Sequence, residues 1–190
     1  MKKYFIVAGE PSGDLHGSKL IKAIKDLNPN SSFMGHGGDS MRNEGMHIIE
    51  HVDSLAIMGF AEVLRHLPRM NKIMRNTVGA IERSKPDRVI LIDYPGFNLR
   101  LAKRLSPLKI PITYFILPQA WAWKQRRVEV LKRFIDQSIS IFPFENDWYK
   151  KHGLRVDYFG HPFVDIEHFN ETTKSFYKRH SLNINNPILT

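Results

Sequence analysis

The sequence predicts a doubly wound α/β domain built on a parallel sheet. Three observations lead to it. Short β-branched or aromatic runs alternate with longer helical patterns along the chain. Two of those runs, Val89–Ile92 and Ile112–Leu117, are almost wholly apolar, as strands buried on both faces must be. The segments that follow the runs carry Gly or Pro beside polar or aromatic residues, the composition of turns.

The elements follow in order. Tyr4–Ala8 (YFIVA) is the first strand and Leu15–Leu27 the first helix. Ser32–Gly35 is the second strand. Gly59–Arg83 is a helix, because Val63, Leu64, Leu67, Met70, Met74, Val78 and Ile81 recur at helical spacing. Arg88–Ile92, Ile112–Leu117, Ser138–Phe142 and Val156–Phe159 complete the strands. Leu99–Leu105, Lys124–Ile135 and Asn146–His152 are the helices between them. No internal repeat or low-complexity tract is present. After the polar HSLNINN the chain reads PILT, either a frayed tail or the beginning of another strand.

A chain of 190 residues suffices for one domain with a sizeable core. Lys plus Arg is 28 and Asp plus Glu is 19, a net charge of +9. The excess points to an anionic partner, whether nucleic acid, anionic lipid or a phosphorylated substrate. The absence of Cys excludes a disulfide scaffold and Cys-ligated zinc or iron–sulfur centres, and is compatible with the cytoplasm. The beginning MKKYFIVAGE does not read as a signal peptide, since its apolar run is too short for an h-region. No stretch reaches the ~20 apolar residues of a membrane span, so any membrane contact is expected to be peripheral. The His residues form no HExxH pattern, and no metal or cofactor is expected.

In open α/β sheets ligands bind beyond the C-terminal ends of the strands. The segments there are GEPSGD, GHGGDSMRNEG, DYPGFN, PQAWAWK, PFEND and GHP, and together they outline a cleft. In the first, Gly9, Gly13 and Gly17 fall neither in the dinucleotide fingerprint nor in a Walker A loop. A helix N-terminus attracts anions, but Glu10 and Asp14 would repel a phosphate and suit hydroxyls, which they accept as hydrogen bonds. The loop therefore reads as a sugar or polyol contact through Glu10, Ser12, Gly13 and Asp14. Helix capping by Ser12 or Asp14 is the alternative.

Asp93 directly follows a strongly apolar strand. Desolvation there would raise its pKa toward neutrality, as a general base requires. The alternative is an Asp that caps a helix beginning near Phe97. Asn98 is placed to orient a substrate hydroxyl. Trp121 and Trp123, next to Lys124, Arg126 and Arg127, can stack on a sugar or base and hold phosphate, or can seat the loop in the core. In Gly59–Arg83 the cations Arg65, Arg69, Lys72, Arg75 and Arg83 lie largely off the apolar stripe. That pattern suits an anionic membrane or acyl chains, and equally a core helix with a solvated basic face.

Seven motifs now stand in order: GE-x-SGD at Gly9–Asp14, G-x-GG-x-x-M-x-x-x-G at Gly35–Gly45, MGFAEVL at Met58–Leu64, DYPGFN at Asp93–Asn98, WAWK at Trp121–Lys124, FPFE at Phe142–Glu145 and GHP at Gly160–Pro162. From about Tyr4 to Asp165 the chain resembles the lipid-A-disaccharide synthases, glycosyltransferases of lipid A biosynthesis. The resemblance implies a Rossmann-like N-terminal domain of a GT-B glycosyltransferase, handling the acceptor, with a C-terminal domain that holds most of the donor site. It implies condensation of UDP-2,3-diacylglucosamine with 2,3-diacylglucosamine 1-phosphate, inverting, with release of UDP. Asp93 matches the family's candidate base. Many relatives carry a second Asp where this chain has Gly96, so no base is placed at Gly96.

The motifs add Met58 and Glu145 to the substrate-binding set of Glu10, Ser12, Gly13, Asp14, Asn98, Trp121 and Trp123. Residues 1–186 are expected to form the acceptor-side domain and 187–190 the beginning of a donor domain, leaving this chain inactive alone. The UDP-sugar is a substrate, not a cofactor. The expected partners are acylated glucosamine substrates and an anionic membrane surface at the inner face of the inner membrane. Nucleic acid is not expected, since no recognition motif accompanies the charge; homo-oligomerisation is left open. Two rival readings remain, another GT-B-like sugar-nucleotide enzyme and a non-catalytic acyl-lipid-binding module.

Overall fold

A computed structural model describes residues 1–56, 67–164 and 173–183. The order is β1 (Lys3–Ala8), α1 (Pro11–Leu27), β2 (Ser32–Gly37), α2 (Asp39–Asn43), β3 (His47–His51), α3 (Val52–Ala56), α4 (Leu67–Ser84), β4 (Arg88–Ile92), α5 (Pro95–Leu105), β5 (Ile112–Phe115), α6 (Arg127–Phe134), β6 (Gln137–Ser140), α7 (Pro143–Lys151), β7 (Asp157–Tyr158) and α8 (Thr173–Arg179). Among the described residues the strands form one seven-stranded sheet in the order β3-β2-β1-β4-β5-β6-β7. Every pairing is parallel. The chain winds outward from β1 to β3, then crosses back to β4 and winds the other way. The switch point lies between β1 and β4, whose following helices α1 and α5 pack on opposite faces of the sheet, the place where such sheets form a ligand crevice.

The two sheet faces are buried against different helices, as the period-two alternation of a strand requires. Phe5, Val7, Val89 and Leu91 pack with Ile73, Met74 and Ile81 of α4 and Leu101 of α5. Ile6, Ala8, Ile90 and Ile92 pack with Ile21 of α1 and Met41 of α2 on the opposite face. The α4 stripe from Ile73 onward thus faces the core, while Arg69, Lys72 and Arg75 are exposed. The beginning of the predicted Gly59–Arg83 helix, through Arg65, lies outside the described residues, as do Met58 and Pro187–Thr190.

The structure moves several predicted boundaries. Helices α1, α5 and α7 begin at Pro11, Pro95 and Pro143, each with Pro in the first turn and earlier than the apolar periodicity indicates. Proline's fixed φ and missing N–H suit that position. Strand β5 stops at Phe115 because Ile116 takes a left-handed backbone (φ 64°) and turns the chain. Strand β3 and the short helices α2, α3 and α8 are additions to the predicted set. The HIIEH run of β3 is an edge strand that is only half-buried, so its apolar signal is weak. Gly35 (φ +142°) lets β2 lie against β1, where a Cβ would come within 1.9 Å of the Ile6 carbonyl oxygen.

One core histidine makes the fold acid-labile. His36 at the end of β2 is 1% exposed. Its Nε2 lies 2.9 Å from Thr77 Oγ1, and that hydroxyl donates to the Ile73 carbonyl at 2.7 Å. The hydroxyl's proton is therefore committed, and Nε2–H is the donor between the two. Burial pushes the His36 pKa down from 6.5 to about 4. Between those values the unfolded chain binds a proton that the folded chain refuses, so stability falls as pH drops through this window. The expected loss between pH 7 and pH 5 from this group is about 2 kcal/mol. Urea unfolding at the two pH values checks it: His36→Gln should flatten that part of the pH dependence.

Candidate active site

A cleft of about 370 Å³ opens at the C-terminal edge of the sheet, walled by Ser12 and His16 of α1, by Asp93, by Trp123 and Arg127, and by His161. Asp93 (φ 45°) and Tyr94 (φ 48°, ψ 54°) are consecutive non-glycine residues in the left-handed region. Each such residue costs on the order of 1–3 kcal/mol unless its surroundings enforce it.

Here they do. The Asp93 N–H donates to the Phe115 carbonyl at 3.0 Å. The Asp93 carbonyl accepts from the Tyr114 hydroxyl at 2.6 Å and from Asn98 Nδ2 at 2.8 Å. The Tyr94 ring lies against Gly9, where an added Cβ would come within 2.2 Å of it. Sheet, helix and first loop together hold the turn that presents the Asp93 carboxyl.

The environment tunes that carboxyl. Burial pushes its pKa up from 3.8 to about 6, and the Glu10 carboxylate adds to the rise; the Tyr94 amide and the Arg127 guanidinium oppose it. A carboxylate that binds a proton near neutrality matches what general-base chemistry needs. The capping alternative for Asp93 is corrected: α5 begins at Pro95, with Tyr94 at the cap position and no side-chain cap bond.

Other expected contacts divide between the cleft and its supports. Glu10 is exposed at the head of α1, and Ser12 and Gly13 line the cleft. Asp14 is corrected. It is buried, and both its oxygens are engaged away from the cleft, Oδ1 by the amides of Gly38 (2.6 Å) and Met41 (3.1 Å) and Oδ2 by that of Ser40 (3.0 Å). It caps α2 across the turn rather than facing substrate hydroxyls. Asn98 is corrected likewise: fully buried, its Nδ2 binds the carbonyls of Val7, Ile92 and Asp93 and ties β1 to β4.

Glu145, 1% exposed, cannot meet a substrate in this arrangement. Its Oε1 accepts from Trp121 Nε1 at 3.0 Å, and burial pushes its pKa up. The Trp121 ring also packs edge-on to Phe144, so Trp121 anchors its loop. Trp123 is what the loop presents. It is 48% exposed, with Lys124 Nζ 4.7 Å and the Arg127 guanidinium 5.0 Å from its ring centroid. That is a stacking platform with positive charge beside it. The expected site set lacked the polar cleft residues His16, Gln119, Arg127 and His161. The signal for His16 was its place four residues after Ser12, which puts both on one face of a helix.

Among the described residues no helix is long and apolar enough to cross a membrane, and no group of three or more His, Cys, Asp or Glu could hold a metal ion.

The sequence profile of the family described as lipid-A-disaccharide synthetase matches residues 4–190. The chain belongs to the lipid-A-disaccharide synthetase family. It is 37% identical over 187 residues to a lipid-A-disaccharide synthase of Myxococcus xanthus, covering 98% of this chain and 49% of the relative. It is 42% identical over 160 residues to a lipid-A-disaccharide synthase of Alkalilimnicola ehrlichii, covering 84% of this chain and 42% of the relative. The chain thus spans about half the length of the curated relatives it matches. In fold it is similar to S. aureus MnaA, solved with UDP, at a TM-score of 0.65 and 13% identity over 95% of this chain and 50% of that one. The family profile covers every cleft residue described above, so the Rossmann-like sheet and the strained Asp93 turn belong to a lipid-A-disaccharide synthetase family member.

Proposed function

We propose that this chain is the acceptor-side part of a glycosyltransferase that condenses UDP-2,3-diacylglucosamine with 2,3-diacylglucosamine 1-phosphate. One observation supports it above the others: in a member of this family, the cleft at the sheet's switch point holds a carboxyl whose pKa is raised to about 6. Asp93 takes the proton from the acceptor 6-hydroxyl as that oxygen attacks the donor's anomeric carbon. The bond from that carbon to UDP breaks, and configuration inverts. Glu10 and Ser12 receive sugar hydroxyls, and Trp123 gives the sugar a flat face. Residues 1–186 form the acceptor side, and 187–190 begin the donor side. Arg69, Lys72 and Arg75, exposed on α4, draw the protein to an anionic membrane where acylated substrates reside.

The test uses a protein of the relatives' full length that carries these residues. Transfer to 2,3-diacylglucosamine 1-phosphate is expected, with little transfer to the unacylated sugar phosphate. Equal transfer to both would favour a different sugar-nucleotide enzyme. The 190-residue chain alone is expected to show no sustained turnover.

A further inference from the structure

The cleft has two electrically distinct ends. Asp93, on which the Glu10 carboxylate acts, makes one end acidic. The other is lined by His16 and His161, with Lys19 beside them. His16 is 7% exposed and lines the cleft, with Nδ1 buried and without a partner. A proton on Nδ1 would be stranded, so the neutral ring carries its proton on Nε2 as a donor. His161 lines the same cleft, and the Phe163 ring bridges the two imidazoles at 5.0 Å from His16 and 5.2 Å from His161. Lys19, one turn along α1, donates to the Pro162 carbonyl at 3.4 Å. Burial foremost, then Lys19 and His161, disfavour a charge on His16, and no carboxylate is among the groups acting on it. Three groups that carry or acquire positive charge therefore converge, and among the described residues no carboxylate acts on His16.

The first turn of α1 adds to this. The Asp14 amide donates to the Glu10 carbonyl at 3.0 Å, the Ser12 and Gly13 amides have no intrahelical acceptor, and the Ser12 hydroxyl is exposed beside them. Two carboxylates in this loop argue against an anion from sequence alone. In the structure Asp14 is turned to α2 with both oxygens engaged. Glu10, the N-cap residue of α1, is exposed and acts on Asp93 and Tyr94. We propose that His16, Lys19 and His161, with the first turn of α1, form an anion subsite that takes a phosphate group of the sugar substrate. The inference rests on reading the cleft as a sugar site. The phosphate is either the monoester of the acceptor or the diphosphate of the donor.

Histidine ring signals in ¹H–¹³C spectra of the 190-residue chain test this. Glucosamine 1-phosphate, UDP, inorganic phosphate and glucosamine are added in separate titrations. A phosphate-bearing probe is expected to move the His16 and His161 signals saturably and to raise the His16 protonation midpoint; glucosamine should leave both in place. A response to glucosamine 1-phosphate alone assigns the subsite to the acceptor, and a response to UDP alone assigns it to the donor. Lys19→Gln, an exposed substitution, and His16→Gln should each weaken the responding probe by roughly tenfold. The proposal is overturned if no phosphate-bearing probe moves these signals, or if the variants bind as tightly as the parent. Should His16→Gln not fold, Lys19→Gln decides. Because the readout is binding, its failure leaves Asp93 as base untouched, and retention of transfer by Asp93→Asn would leave this subsite standing.

Discussion

Asp93→Asn is expected to lower the transfer rate of the full-length enzyme by about 10²- to 10⁴-fold, the usual worth of a positioned general base. The same change should make the 190-residue chain more stable at pH 7.5. The sign follows from linkage. The folded chain holds the Asp93 proton up to about pH 6, whereas the unfolded chain releases it near 3.8. Above pH 6 the folded state must carry a charge that its surroundings disfavour. Removing that charge stabilises the fold by roughly 1–3 kcal/mol, and the gain should vanish as pH falls toward 4. Measured together, steady-state kinetics and urea unfolding at two pH values separate a base from a structural residue. A structural Asp would lose stability on substitution, and an idle one would lose neither stability nor rate.

The second large effect is at Asp14. Asp14→Ala removes one buried carboxylate and strands the amides of Gly38, Ser40 and Met41. Charge-assisted bonds to a buried carboxylate are among the stronger ones, and unsatisfied buried donors are costly. A loss of about 3 kcal/mol is expected. Amide hydrogen exchange should quicken first in α2 and in the β2–β3 connection. Asp14→Asn, which keeps an acceptor oxygen, should recover part of the loss. A variant as stable as the parent would mean that α2 does not depend on this cap.

Much of the fold was legible in the sequence because parallel, two-sided strands leave a continuous apolar signature. Val89–Ile92 and Ile112–Leu117 show it plainly. What escaped was local and has physical causes. Pro11, Pro95 and Pro143 begin helices before their apolar stripes do, and a stripe alone cannot report a first turn. His47–His51 pairs on one side only, so its burial is too slight for its pattern to stand out.

The site was legible by residue type and less so by orientation. Asp93, Ser12 and Trp123 face the cleft and Glu10 acts on Asp93 from beside it, whereas Asp14, Asn98 and Glu145 turn inward to support it. A carboxylate or amide beside a cleft has the same letter whether it meets substrate or backbone. Only the partners that the fold brings together, such as the Gly38 amide or the Trp121 indole, decide which.

The central claim is that the fold holds the Asp93 carboxyl ready to accept a proton near neutrality. Its titration midpoint in the 190-residue chain tests that most directly. The midpoint can be followed by the side-chain carboxyl ¹³C shift and assigned by its disappearance in Asp93→Asn. A midpoint near 6 is predicted; one at the ordinary 3.8 would contradict the account.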